Sequence, residues 1–324
     1  MARGKFSILL YLPDLNIDWP RSNTAQPFLG RLRTTVDDFQ VNEVLNIDFT
    51  EAGEHLYLQV EKTNLNTEDV RCTLAQHYEV PTVDVSYSGM KDKRAIARQW
   101  FSIRLPSTTC EPSYKGFRVL QAHRHHCKLR RGTHTQNEFR IVIRDVKREM
   151  ANLNEVLTSP FPNYFGTQRF GLYFNNLTRA RKWVEAGKPR IPRTVRARYL
   201  STLRSYLFNE LLGLRVKQEN WKVKLAGDPS VDDRATGPLW GRGTLGSNAV
   251  TAEFDQSVQT KHPQVCEALE WVGLQQERRP LSVRAKNIKI EQTQSTVTLE
   301  FSLPVGSYAT VGLSEYFDCE VDSG

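Results

Sequence analysis

The apolar residues of this chain alternate with a period of two toward both ends and lose that period in between, which points to one sheet interrupted by an insertion. Residues 28–62 carry strand signals around a glycine turn, with Phe39-Gln40-Val41 alternating and Leu56-Tyr57-Leu58-Gln59-Val60 following. Val83 to Tyr87, Gln99 to Leu105, Phe117 to Leu120 and Phe139 to Ile143 continue the pattern, and Thr296-Val297-Thr298-Leu299-Glu300-Phe301 resumes it near the C-terminal end. One helix interrupts the first half. Asn66 caps it, Glu68 and Asp69 fill its first turn, and Val70, Leu74 and Tyr78 recur at helical spacing. Strands with interspersed helices predict an α+β fold.

The middle is different in kind. Residues 179–198 hold Arg179, Arg181, Lys182, Lys188, Arg190, Arg193, Arg196 and Arg198 against the single acid Glu185. A cationic run of that density favours phosphate contacts over a merely solvated face. An amphipathic helix follows, with Leu200, Leu203, Leu207, Leu211 and Leu214 on one face. Residues 219–258 are rich in Gly, Asp and Thr and read as loops and short strands, and Pro263 to Val272 reads as a helix. At 324 residues the chain exceeds what one compact core usually holds. The expectation is therefore a sheet domain of residues 1–160 and 275–324, interrupted by an insertion of residues 161–274. No internal repeat appears.

Composition narrows the function classes. There are 44 Lys plus Arg against 36 Asp plus Glu, a net charge of +8, which favours a polyanionic partner. The five cysteines (Cys72, Cys110, Cys127, Cys266, Cys319) form no CxxC pair, so neither a disulfide framework nor a zinc ribbon is indicated, and a reducing cytoplasm is the simplest reading. The apolar run Phe6 to Leu12 is too short for a membrane span and lacks a cleavage signature, so no signal peptide and no membrane partner is expected.

The segment Ser88-Gly89-Met90-Lys91-Asp92-Lys93-Arg94-Ala95-Ile96-Ala97-Arg98-Gln99-Trp100 carries the most chemistry. A strand delivers the chain to a glycine turn, and Asp92 follows among four cations. Neighbouring cations favour the charged form of a carboxylate, and an ionised, oriented carboxylate acts as nucleophile or base. On charge and spacing alone a solvated turn is the ordinary reading, and a reactive carboxylate is the other.

Resemblance to a family decides between them. Gly89-x-Lys91-Asp92-x-x-Ala95-x-x-x-Gln99-Trp100 resembles the signature of the TruD family of pseudouridine synthases, in which the aspartate is catalytic. Gly30-Arg31-Leu32-Arg33 leading to Asp37-Asp38-Phe39-x-Val41-x-Glu43 is similar to the family's N-terminal motif, and Gly53-Glu54-His55 with Lys62-x-x-x-Asn66-Thr67 to its next block. Leu129-Arg130-Arg131-Gly132 through Asn137-x-Phe139, then Asn163-Tyr164-Phe165-Gly166-x-Gln168-Arg169-Phe170-Gly171, then Phe301-x-Leu303-Pro304-x-Gly306-Ser307-Tyr308-Ala309-Thr310 follow in the family's order. The resemblance spans nearly the whole chain. Two positions depart from the usual pattern: Tyr308 stands where Phe is common, and Arg33 where Lys is often found. The middle region is short for the family.

The resemblance implies a pseudouridine synthase catalytic sheet domain with an inserted TRUD-type α/β domain. It implies isomerisation of a uridine in tRNA, at position 13 in the D stem, with Asp92 as the catalytic carboxylate. Positions matching Phe39, Asn137, Phe139 and Tyr308 line the base pocket, with Asn137 on the uracil edge, and Arg33 pairs with Asp92. Such a reaction needs no redox cofactor and no metal, and no protein partner is inferred. Attack of Asp92 on C1′ and abstraction of a sugar proton both remain open. The rival readings are a non-catalytic RNA-binding protein or RNA chaperone on the same scaffold, and another RNA-modifying enzyme such as a methyltransferase. Retention of Asp92 within its full motif opposes the first. The second lacks a Gly-rich strand–turn–helix for a cofactor.

Two other clusters compete for attention. His123-x-His125-His126-Cys127 looks like a metal cluster, but with Arg124, Lys128, Arg130 and Arg131 it reads instead as a basic stretch, facing RNA or simply solvated. Gly241-Arg242-Gly243-Thr244-Leu245-Gly246 lacks the Lys-Ser/Thr ending of a phosphate loop and reads as a turn.

Overall fold

The computed structural model describes residues 17–105, 113–146, 155–229, 233–271 and 273–321. The apolar run at 6–12, Cys110 and Val272 lie outside the described residues. The strands of the first half are β1 (Phe28–Leu32), β2 (Phe39–Val44), β3 (His55–Thr63), β4 (Val85–Tyr87), β5 (Ile96–Arg104), β6 (Ser113–Tyr114), β7 (Phe117–His125) and β8 (Gln136–Arg144). Those of the second half are β9 (Phe161–Pro162), β10 (Thr236–Leu239), β11 (Glu277–Pro280), β12 (Ser282–Val283), β13 (Lys286–Gln292), β14 (Thr296–Pro304) and β15 (Phe317–Val321). The helices are α1 (Thr67–His77), α2 (Asn175–Glu185), α3 (Arg193–Lys217), α4 (Ala249–Lys261), α5 (Pro263–Trp271) and the short α6 (Ala309–Ser314).

Two compact units result. One holds Asn23–Gly166 and the segment from Ser282 onward, and the other holds residues 17–22 with Thr167–Leu281. The first is built on an 11-stranded sheet in the order β13-β14-β8-β2-β5-β3-β7-β6, with β4 added on β5, and with β1 pairing both β8 and β15. Strands from the two ends of the sequence thus share one sheet, β14 lying antiparallel to β8 over Thr296 to Pro304. Close approach of β1 to β8 depends on Gly30, because a Cβ there would stand 2.6 Å from Ile143 Cγ2.

Most neighbouring strands are antiparallel, but β2 and β5 run parallel, with Gln40 opposite Ile96 and Asn42 opposite Arg98. Parallel neighbours start at the same edge of a sheet. The segments that feed them, residues 33–38 before β2 and 88–95 before β5, are therefore side by side. The period of two then sorts the side chains. Phe39, Val41 and Glu43 of β2 share a face with Ile141, Phe139 and Asn137 of β8, and Phe301 and Leu303 of β14 continue the row. Helix α1 covers part of the sheet, burying Val70, Leu74 and Ala75 against Leu56, Leu58, Val60, Phe101, Ile103 and Phe117. Asn66 and Asp69 form its capping box, where a cap was expected.

Several strand limits differ from the sequence reading. Strand β5 starts at Ile96 rather than Gln99, and β7 runs on to His125. Pairing explains both, since β3 offers β5 partners from His55 to Thr63 and β7 partners from His55 to Lys62. The His123 region is not a plain basic stretch. The His123 ring stacks on Phe49 at 4.3 Å and 2°, and the His125 ring meets Tyr57 edge-on at 5.6 Å. Among the described residues no group of three or more His, Cys, Asp or Glu is disposed to hold a metal, and no helix is long and apolar enough to cross a membrane.

The second unit is organised by α3, packed by α2, α4, α5 and β10. Leu200, Leu203, Leu207 and Leu211 are buried as the apolar spacing predicts, while Leu214 is half-buried. The helix is nevertheless not amphipathic along its middle. Tyr206, Phe208, Asn209, Glu210, Leu212 and Arg215 are buried too, because neighbours surround it. Each buried charge has partners: Glu210 accepts from Trp19, Lys261 and His262, and Arg215 meets Asp228. The expectation of loops and strands over 219–258 also needs correction, because Ala249–Lys261 is helical. Thr251, Phe254, Asp255 and Val258 are its buried face at the i, i+3, i+4, i+7 spacing that Gly-rich and Asp-rich surroundings masked.

The Arg215–Asp228 pair generates a stability prediction. Both side chains are 2% exposed or less, and Arg215 also donates to the carbonyls of Asn220 and Val223. Replacing Arg215 by Met leaves the Asp228 carboxylate buried and uncompensated, and should cost about 3–5 kcal/mol. Urea denaturation of the variant is the check. A loss below about 1 kcal/mol would mean that water reaches Asp228.

Candidate active site

The parallel start of β2 and β5 brings two opposite charges together. Arg33 leaves β1 in the left-handed region at φ 62°, a conformation that costs a non-glycine residue energy and turns its side chain back over the sheet edge. Its Nη2 donates to Asp92 Oδ2. Its guanidinium carbon also stands 4.1 Å from the centre of the Phe39 ring, a cation–π contact that fixes the other end of the group. The Asp92 side chain keeps 33% of its surface exposed, against 15% for Arg33, so the pair remains reachable from solution.

The loop carrying Asp92 is pinned from below by charged and polar groups that the strands hold in the core. Lys62, fully buried on β3, donates to the main-chain oxygens of Asp92 at 2.8 Å and Leu65 at 2.6 Å. Burial pulls the Lys62 amine down to about 8, the field of Asp92 opposing part of that fall. The Thr67 hydroxyl accepts from the Lys91 amide and donates to Gln99 Oε1 at 2.9 Å, while Gln99 Nε2 reaches the Gly89 carbonyl. Lys91 pairs with Glu43, whose side chain is entirely buried and which also accepts from the Trp100 amide. Burial pushes the Glu43 carboxyl up, and Lys91 pulls it part of the way back.

Ser88 and His134 close the other side of the loop. The Ser88 hydroxyl accepts from the His134 amide at 2.9 Å and lies 2.6 Å from His134 Nδ1. Burial lowers His134 to about 4, so its ring is neutral at physiological pH. Gly89 is required by this packing, since a Cβ would meet His134 Cε1 at 2.9 Å and Lys91 Nζ at 3.0 Å.

Aromatic and amide groups line the same face of the sheet. Phe139 meets Phe39 edge-on at 6.2 Å and Phe301 in a stack at 5.5 Å. Asn137, two residues along β8, is buried, with its amide nitrogen 3.4 Å from His134 Nε2 and its Oδ1 without a hydrogen-bond partner. Arg33, Asp92, Phe39 and Phe139 thus form a continuous series of contacts, and Asn137 joins it through the strand register. Tyr308 stands at the start of α6, half-buried, and its ring meets Phe165 at 6.0 Å. Sequence reasoning assigned no role to Lys62, Glu43, Ser88 or His134. For two of these a signal was present: Glu43 shares the phase of Phe39 and Val41, and Lys62 that of Leu58 and Val60, so each places a charge where alternation demands an apolar residue.

Comparison with known proteins adds an independent line. The family model described as tRNA pseudouridine synthase D (TruD) matches residues 21–178. A tRNA pseudouridine synthase D of Pseudomonas putida is 35% identical over 342 aligned positions, covering 95% of this chain and 96% of the relative. Its counterpart in Cellvibrio japonicus is 38% identical over 315 positions, covering 93% of each. In structure, a Methanosarcina mazei protein assigned as tRNA pseudouridine synthase D (TruD) superposes with a TM-score of 0.66 at 20% identity, over 94% of this chain and 96% of that one, which is a likeness of fold.

Lys62 yields a pH prediction. Its folded value of about 8 lies below the ordinary lysine value of 10.5. Between the two, the unfolded chain holds a proton that the folded chain has released, so folded stability rises with pH there. Below pH 8 the full cost of the buried charge applies. The stability of Lys62→Met relative to wild type should therefore fall by an amount on the order of 3 kcal/mol between pH 8 and 10.5. Denaturation curves of both proteins across that interval test this, and a constant difference would mean that Lys62 titrates as it does in water.

Proposed function

The chain belongs to the TruD family of tRNA pseudouridine synthases, and from that premise we propose that Asp92 is the carboxylate that carries the isomerisation. The reaction converts a uridine of tRNA to pseudouridine. The bond from C1′ to N1 breaks, a bond from C1′ to C5 forms, C5 loses a proton and N1 gains one. Nothing is oxidised or reduced, so no redox cofactor is called for. Attack of the carboxylate on C1′ and abstraction of a sugar proton both demand an ionised oxygen held still beside the sugar.

The observation that carries this reading is the Arg33–Asp92 pair on a loop fastened through its main chain by Lys62. The guanidinium orients the carboxylate, and Arg33 is itself set by its left-handed backbone conformation. The base must leave its stack to reach Asp92, and extruded bases are held by aromatic faces and by hydrogen bonds to their edges. Phe39, Phe139 and Tyr308 supply the faces in this reading. Asn137, buried two residues along β8 from Phe139, supplies the contact to the uracil edge. We assign catalysis to residues 1–160 and 275–324 and RNA contacts to the insertion at 161–274. The target is the uridine at position 13 in the D stem, and the work is done in the cytoplasm.

Three outcomes are expected. Asp92→Asn, an isosteric change, should bind tRNA normally and make pseudouridine at less than about one per cent of the wild-type rate. Turnover above that level would remove Asp92 from the mechanism. Pseudouridine mapping in tRNA from cells lacking the protein should show loss at position 13, and loss elsewhere would reassign the target. Tyr308→Phe should stay active whereas Tyr308→Ala should lose a stacking contact worth about 1–3 kcal/mol. Equal loss in both would transfer the role of Tyr308 to its hydroxyl, and normal rates in both would put it outside the pocket.

A further inference from the structure

The turn between α2 and α3 is built more rigidly than a connection needs to be. Gly187 and Lys188 adopt left-handed conformations at φ 76° and 60°, and the Lys188 amide returns to the Trp183 carbonyl at 2.9 Å. The Trp183 indole N–H donates to the Pro189 carbonyl at 2.9 Å, fastening the turn to the buried face of α2, and Pro192 sets the start of α3. The charges this fixed turn presents are all cationic. Lys188, Arg190, Arg193 and Arg196 line an open groove of about 880 Å³ with Trp183, Pro189, Ile191, Pro192 and Trp271, and no carboxylate is among the lining residues. Two of the arginines lie in the first turns of α3, where the helix macrodipole favours acids, and no acid occupies its first turn. That charge works against the isolated fold.

Trp271 is the second, independent feature. It ends α5, is 80% exposed, and lines the same groove. Trp100, Trp183, Trp221 and Trp240 are 6% exposed or less, and Trp19 is half-buried. The rest of the lining is apolar, but four cations with no carboxylate among them exceed the few placed polar groups of a small-ligand pocket. Cations along a rigid wall with one free indole face match a polyanion that carries aromatic bases at intervals.

We infer that this groove is an RNA-docking site in its own right, in which Lys188, Arg190, Arg193 and Arg196 take consecutive phosphates and Trp271 stacks on an unpaired base. The base it holds is one outside a helix, in a loop or at a single-stranded end, because paired bases offer no free face to an indole. The inference rests on the reading of this chain as a tRNA-modifying enzyme, and it adds a contact made at a surface with no part in the chemistry at Asp92. Such a contact contributes affinity and register on the RNA without sequence readout.

Three variants of the full chain test it, with unmodified tRNA transcript as the probe and filter binding across a salt series as the readout. Trp271→Ala should weaken binding roughly 5- to 150-fold, as expected for loss of one base–aromatic stack, and Trp271→Phe should fall between it and wild type. The double variant Arg193→Gln, Arg196→Gln should flatten the log–log salt slope by roughly 0.7 to 0.9 for each lost cation. Thermal unfolding of each variant checks that the surface changes leave the fold intact. Unchanged affinity in Trp271→Ala, or an unchanged slope in the double variant, overturns the docking site while leaving the assignment of Asp92 standing. Failure of the wild-type protein to form pseudouridine in tRNA would instead remove the functional reading, whatever the binding data show.

Discussion

The hydrogen bond from Arg33 to Asp92 links two loops whose meeting depends on the parallel pairing of β2 with β5. Had β5 added antiparallel to β2, the loop before β5 would open at the far edge of the sheet, and Asp92 would lie a strand's length from Arg33. Everything nearby serves to hold this one meeting. Gly30 lets β1 approach β8, the positive φ of Arg33 turns the chain back, and the Phe39 ring receives the flat face of the guanidinium. Topology thus sets which groups can meet, and local strain sets how closely.

The ground under that loop is unusually polar for a sheet core. Lys62, Glu43, Gln99, Ser88, Asn137 and His134 are all buried within a few residues of the Asp92 loop in sequence or across the sheet. Burying such groups costs free energy that only full hydrogen bonding offsets. An apolar plug would be more stable and would leave the loop free to choose among conformations. Fixed dipoles and charges cannot reorganise as the reaction proceeds, which is the property that makes preorganised sites effective. The protein therefore trades stability for one loop geometry, and it does so beneath the loop rather than on its exposed side.

Much of this was legible in the residues, and the illegible parts have physical causes. The strands, the Asn66 cap and the sharing of one sheet by sequence-distant segments follow from alternation and capping chemistry. The family motifs singled out Asp92, Arg33, Phe39, Asn137, Phe139 and Tyr308. Edge limits were harder, because β5 and β7 extend as far as β3 offers partners, and no local signal encodes a partner's length. The fully buried middle of α3 was missed because amphipathicity reports one neighbour, whereas this helix has neighbours on every side. Helix α4 was hidden because two of the four residues on its buried face, Thr251 and Asp255, are polar. The His123 cluster read as charge because the sequence does not reveal that Phe49, in the loop before β3, folds over to stack on it. The supporting roles of Ser88 and His134 lie in long-range hydrogen bonds, for which a single sequence carries no mark.

Strand β1 pairs in parallel with β15, Phe28 opposite Phe317 and Leu32 opposite Val321, so the residue just before Arg33 is held by one made nearly three hundred codons later. A ribosome adding about 5–20 residues per second leaves that edge of β1 without its partner for roughly 15–60 s, while the segment between folds around α3. Until β15 emerges, Arg33 hangs from a strand with one open side. The geometry of the Arg33–Asp92 pair is thereby tied to synthesis of β15: a chain stopped before it would carry every residue of the Asp92 loop and still lack a strand that anchors Arg33.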